Sequence, residues 1–116
     1  YYFQIAVTWS ALSSGAPSFR LADQGSIPNT AGSSMYPVKG ELSCILAYMN
    51  SSVVTFALGL LAPTLNYSAG PVGNVPFPSG ANQASINLLS DGCVEMSRND
   101  YDSFETSWDF KHHPLL

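Results

Sequence analysis

LSCILAYMNSSVVTFALGLLA, residues 42–62, carries no charged residue and changes the hydrophobic period of the chain. Leu42, Ile45, Leu46, Met49, Val53, Phe56 and Leu60 recur at helical spacing. Asn50-Ser51-Ser52 interrupts the run with weak helix formers and supplies an N-cap hydroxyl. The spacing therefore predicts two helices meeting at a kink and closed by Pro63. Val54, Leu58 and Leu61 populate the opposite face, so the second helix is expected to be buried on most sides. The run has the length of a membrane span, but its polar centre and the lack of basic flanks favour a core helix pair over a membrane segment.

Upstream, the period is that of a strand. Tyr1 to Trp9 is dense in aromatic and β-branched residues, with Ile5, Val7 and Trp9 on one alternation. Ser13-Ser14-Gly15-Ala16-Pro17 breaks it, and Phe19 and Leu21 alternate with Arg20 and Ala22 in a second, short strand. Gly25 to Pro37 reads as loop, with Met35-Tyr36 able to add a strand.

Downstream, Pro71, Pro76 and Pro78 punctuate residues 66–80, an ordered extended loop with at most a short strand. Ala81 to Met96 reads as a third helix with Ile86, Leu89, Cys93 and Met96 on one side, weakened by Gly92 by about 1 kcal/mol relative to Ala. Ser97-Arg98-Asn99-Asp100 has capping-box spacing and predicts a fourth, short helix from Arg98 to Phe104. The expected fold is α+β in one domain. Residues 1–40 are β-rich, 41–62 a helix pair, 63–80 a Pro/Gly loop and 81–110 helical, giving three to four helices after the strands.

The 116 residues suffice for one domain. Charged residues make up only 10%, against a usual value of about 25%, and hydrophobic ones 46%, which excludes a disordered tail. Arg20 and Lys39 cancel Asp23 and Glu41. The net charge of −4 therefore lies in the last 26 residues, where six acids face Arg98 and Lys111. So neutral a surface points to a slice of a larger chain that sits against its neighbouring parts. An acidic balance argues against a self-sufficient nucleic-acid binder that works by phosphate neutralisation, and leaves open base reading by uncharged side chains beside a basic partner elsewhere. Cys44 and Cys93 sit in apolar patterns and read as buried free thiols.

Enzyme constellations are sparse. There is no glycine-rich phosphate loop, neither cysteine has a partner at metal spacing, and His112-His113 reads as an exposed tail. No serine stands in a nucleophile elbow. The expectation is no catalytic, cofactor-binding or metal-ligating residue in this segment. What stands out is polar but uncharged: Thr8-Trp9-Ser10, Gly32-Ser33-Ser34 and Pro63-Thr64-Leu65-Asn66-Tyr67. Short hydroxyl and amide side chains beside aromatics suit base-edge reading and stacking, and equally suit turns and strand packing.

Taken in order, these segments resemble a family. Thr8-Trp9-Ser10-Ala11-Leu12, Gly32-Ser33-Ser34-Met35-Tyr36-Pro37 and Ile45-Leu46-Ala47-Tyr48-Met49-Asn50-Ser51 form the first half. Pro63-Thr64-Leu65-Asn66-Tyr67, Gly70, Val72, Asn74-Val75-Pro76 and the aromatic-rich Asp102-Ser103-Phe104-Glu105-Thr106-Ser107-Trp108-Asp109-Phe110 form the second. The order resembles the BREX phage-defence adenine-specific DNA methyltransferases, the PglX-like family, in a portion beyond the catalytic domain. Relatives often carry Lys where Ser52 stands and Trp where Tyr101 stands.

The resemblance implies a large cytoplasmic enzyme that transfers methyl from S-adenosylmethionine to the N6 of adenine in double-stranded DNA, with no membrane partner. Its Asn-Pro-Pro-Tyr motif and cofactor loop lie outside these residues. This segment is then expected to be non-catalytic and to serve target recognition, packed against the remaining domains of the same chain. Thr8, Trp9, Ser10, Ser33, Ser34, Asn66 and Tyr67 are the candidates for DNA contact. In the alternative reading the segment docks other defence-system subunits through Trp108, Asp109 and Phe110, where aromatics among acids make a poor surface for DNA. Intramolecular packing is the plainer role for Trp108.

Overall fold

A computed structural model describes residues 2–37, 42–78, 80 and 82–116. Strand β1 (Ala6–Ser10) lies between β2 (Phe19–Ala22) and β3 (Gly32–Met35), and both pairings are antiparallel. Helices α1 (Leu42–Met49), α2 (Ser52–Leu61), α3 (Ala69–Gly73) and α4 (Gln83–Asp102) follow. The architecture is α+β, with the strands confined to the N-terminal third as the alternation of Val7 and Trp9 predicts.

Alternation along β1 sends Val7 and Trp9 into the core, where Trp9 meets Phe19 across the strand pair with ring centroids 5.6 Å apart. Leu46 and Met49 of α1 and Val54 and Leu58 of α2 complete this core with Tyr67 and Val72. The strand expected from Tyr1 starts only at Ala6, because Phe3 adopts φ 64° in the left-handed region and breaks the extended run. Tyr1 itself lies outside the described residues, as do Val38 to Glu41, Ser79 and Ala81.

The kink at Asn50-Ser51 is present: α1 and α2 meet at 67°. Ser51 is extended (φ −75°, ψ 155°), and its hydroxyl accepts from the Val54 amide, capping α2. The bend resets the phase of the apolar stripe. Val54 and Leu58 are fully buried, whereas Val53, Phe56 and Leu60 are 64%, 71% and 70% exposed, so α2 is not buried on most sides as expected. Among the described residues no single helix is long and apolar enough to cross a membrane, and the bent pair qualifies by length and composition alone.

Two further expectations are corrected. Within residues 66–80 a one-turn helix, α3, interrupts the expected extended loop. Pro71 sits in its first turn, where a missing N–H costs no helical bond. Among the described residues the β-pairing there is a bridge between Leu12 and Asn66. Tyr48 pins the loop to α1 by donating to the Pro76 carbonyl and meeting the Phe77 ring edge-on.

At the C-terminal end, one continuous α4 replaces the two expected helices. Its N-cap is Asn82, and Ser97 lies inside the helix instead of capping a new one. Arg98, beyond the expected break, pairs with Asp23 next to β2 at 2.9 Å. The buried face of α4 also differs from expectation. Ser90 and Val94 face inward and Asp91 accepts from the Ser43 hydroxyl of α1, while Leu89 and Met96 are exposed. Cys93 is exposed with them, and only Cys44 is buried.

Candidate functional site

The outer face of the sheet gathers three of the seven residues singled out for DNA contact. Thr8 stands opposite Arg20 of β2 and Ser34 of β3, and Ser10 stands opposite Gly32. Because side chains alternate, Thr8, Ser10, Arg20 and Ser34 share the face that points away from Val7 and Trp9. Thr8 Oγ1 donates to the Ser33 carbonyl at 2.9 Å, and Arg20 Nη2 donates to Ser10 Oγ at 2.8 Å.

A shallow cavity of about 240 Å³ opens on this face. Thr8 and Ser34 line it together with Gln4, Ser26, Asn29 and Tyr36, and buried Ala6 forms part of its wall. No carboxylate among the described residues lines it. The Asn29 side chain accepts from the amides of Ala31 and Gly32 at 3.0 and 2.8 Å, an Asx turn that fixes the start of β3 beside the cavity.

Three other candidates form a second group at the end of β1. Trp9 is 2% exposed and its indole Nε1 donates to the Tyr67 carbonyl at 2.7 Å. Tyr67, also buried, returns its amide to the Ala11 carbonyl. Asn66 is exposed beside them, bridged to Leu12. Ser33 pairs with Trp9 and shares its side of the sheet, not that of Thr8. Trp9 and Tyr67 thus hold the end of β1, and Asn66 is the exposed member of that group.

Arg20, Gln4, Asn29 and Tyr36 were not singled out from the sequence. The alternation of Arg20 against Phe19 and Leu21 was visible there, but its place next to Thr8 depends on the pairing register. Asn29 lies in a loop with no periodic signal, and Gln4 lies within the expected strand but ahead of the observed start of β1 at Ala6.

Trp108 is completely exposed, which overturns the expectation that it packs internally. It stands in a turn after α4, where buried Ser107 donates to Asp102 and accepts from the Asp109 amide. Asp109 is exposed and Phe110 half-buried. Among the described residues, no three His, Cys, Asp or Glu side chains come together as a metal site. The chemistry on offer at the sheet face is hydrogen bonding by hydroxyls and amides, plus one guanidinium.

Comparison with known proteins gives a relative for this arrangement. The chain is 33% identical over 118 aligned residues to the adenine-specific methyltransferase BrxX of Escherichia coli O9:H4 (strain HS), covering 99% of the chain. It is 36% identical over 115 residues to the adenine-specific methyltransferase PglX of Lacticaseibacillus casei (strain Zhang), covering 98%. From end to end, the chain is homologous to a part of adenine-specific methyltransferases. It spans about a tenth of the length of each of these two relatives. No protein-family model matches. In this BrxX/PglX-like segment the sheet face, the Asn50-Ser51 bend and the turn bearing Trp108 all fall within the aligned region.

Proposed function

We propose that the chain is a DNA-recognition and positioning segment of a larger, S-adenosylmethionine-dependent adenine-N6 DNA methyltransferase of a bacterial phage-defence system. The observation that carries this reading is the outer sheet face. It presents Thr8, Ser10 and Ser34 with Arg20 on paired strands, and Thr8 and Ser34 line a cavity to which no carboxylate among the described residues contributes. Uncharged hydroxyls and amides there approach base edges without repelling phosphate, while Arg20 supplies a phosphate contact. Of the nearby acids, Asp23 at the end of β2 is paired with Arg98, and those of the last 26 residues lie on α4 and beyond it.

Trp9 and Tyr67 support this face from below, and Asn66 extends it past the end of β1. The homology with BrxX and PglX supports the choice of enzyme, and a chain of about a tenth of their length is compatible with a division of labour. Among the described residues the strands are antiparallel. In this reading methyl transfer and S-adenosylmethionine belong to other parts of the proposed enzyme, and double-stranded DNA reaches this segment through them.

Arg20→Glu in the full-length methyltransferase tests the reading. Arg20 is exposed, so the fold is retained. Methylation falls several-fold at all sites alike, and the salt dependence of DNA binding loses about one phosphate contact. Unchanged methylation and an unchanged salt slope refute it.

A further inference from the structure

A cavity of about 970 Å³ lies apart from Thr8 and Ser34 and meets the proposed DNA contact only at Arg20, which stands at its edge. It is an open groove between α4 and the outer edge of β2. One wall is Ile86, Leu89 and Cys93 of α4, at helical spacing, continued by Ser97 and Tyr101. The other wall is Phe19 and Leu21 of β2 with Leu46 and Ala47 of α1. Exposed Trp108 stands at its margin with Asp109. We infer that this groove is a docking site for a cationic amphipathic α-helix of a separate protein.

Three features select that occupant. First, the wall from Ile86 to Tyr101 runs for about 22 Å at 1.5 Å per residue, which matches a helix of about 15 residues lying along it. Second, a strand is disfavoured. Asn50 already occupies both backbone groups of Phe19 on the outer edge of β2, so an added strand finds that position filled. Small side chains at Ala47, Ser90, Cys93 and Ser97 instead leave room for a helix to settle between the walls. Third, the charge around the groove is acidic. Arg98 is neutralised by Asp23 and Arg20 turns to Ser10, which leaves Asp102 and Asp109 in the lining without a cationic partner among the described residues. Glu95, Asp100 and Glu105 add to that field along and just beyond α4. An apolar stripe bordered by carboxylates is the complement of a helix with Leu-type anchors and Lys or Arg flanks.

Cys93 lines the groove and is exposed, whereas Cys44 is buried, so the reaction of the folded chain with a maleimide reports on the groove. A synthetic Leu/Lys amphipathic helix of about 15 residues is the probe. It is expected to slow Cys93 labelling several-fold, less so at high salt. Leu89→Asp, at a 71% exposed position, should abolish the protection with the melting temperature unchanged, and Trp108→Ala should weaken it. Equal protection by a scrambled peptide of the same composition, or by a Leu/Glu amphipathic helix, overturns the inference. So does the absence of protection at saturating probe, or full protection of the Leu89→Asp chain. None of these readouts depends on DNA or methylation, so this inference and the proposed function fail separately.

Discussion

Asn50 completes the edge of β2 at Phe19. Its Oδ1 accepts from the Phe19 amide at 3.0 Å, and its Nδ2 donates to the Phe19 carbonyl at 2.9 Å. The same Nδ2 donates to the Leu46 carbonyl at 3.0 Å, so one carboxamide ties the end of α1 to the sheet at the point where the chain bends. Asn50→Ala removes these bonds and is expected to cost about 2 kcal/mol, at about 0.5–1.5 kcal/mol per bond. It also bares a strand edge, so the variant should self-associate more than wild type. Urea denaturation and light scattering measure the two effects; a variant with unchanged midpoint and unchanged mass contradicts this role.

The bend and the first two strands were legible because local chemistry decides them. Asn50-Ser51-Ser52 offered poor helix propensity and a cap hydroxyl, and Ser51 uses it. Other features were not legible because tertiary partners decide them. Ser97-Arg98-Asn99-Asp100 looks like a helix start in isolation, but Arg98 reaches Asp23 seventy-five residues away, and α4 runs through. The apolar stripe of α1 continues in sequence onto Val53, Phe56 and Leu60, yet a 67° bend turns those residues to solvent. At the candidate site, Thr8, Ser10 and Ser34 were legible as polar strand positions. Their union with Arg20 was not, since register across two pairings depends on which face meets the helices.

The phase of α2 has a direct consequence. Leu58→Ala, at a fully buried position, should destabilise by about 2–5 kcal/mol. Phe56→Glu and Leu60→Lys, on the exposed face, should stay within about 0.5 kcal/mol of wild type. Chemical denaturation of the three variants separates this arrangement from one in which the Val53–Phe56–Leu60 stripe faces the core.

Gly92 sits within α4 with open space where a Cβ would project. Gly92→Ala should therefore stabilise the chain by about 0.4–1 kcal/mol, through helix propensity and a less flexible unfolded state. A thermal melt checks it. Destabilisation there would mean that α4 does not run unbroken through this point.

Trp9 belongs to the core, and substitutions should show it. Trp9→Phe keeps the ring against Phe19 but loses the donor to the Tyr67 carbonyl, at an expected cost of about 1–3 kcal/mol. Trp9→Ala, at about 3–5 kcal/mol, is expected to unfold much of the population. Any loss of function in Trp9→Ala then reports on folding, which leaves exposed or half-exposed Thr8, Ser10 and Ser34 as the positions that read out contact. Circular dichroism at matched temperature distinguishes the two.

The central claim is that the outer sheet face reads DNA, and site choice is its most direct readout. Thr8→Val with Ser34→Ala removes two hydroxyls from that face while keeping the strand and its packing. Sequencing the methylated adenines left by the full-length enzyme carrying both changes should show relaxed or altered site preference. Discrimination should fall by about tenfold or more, as about 1–3 kcal/mol per lost base contact implies. A folded double variant that methylates the same sites at the same rates as wild type would contradict the account.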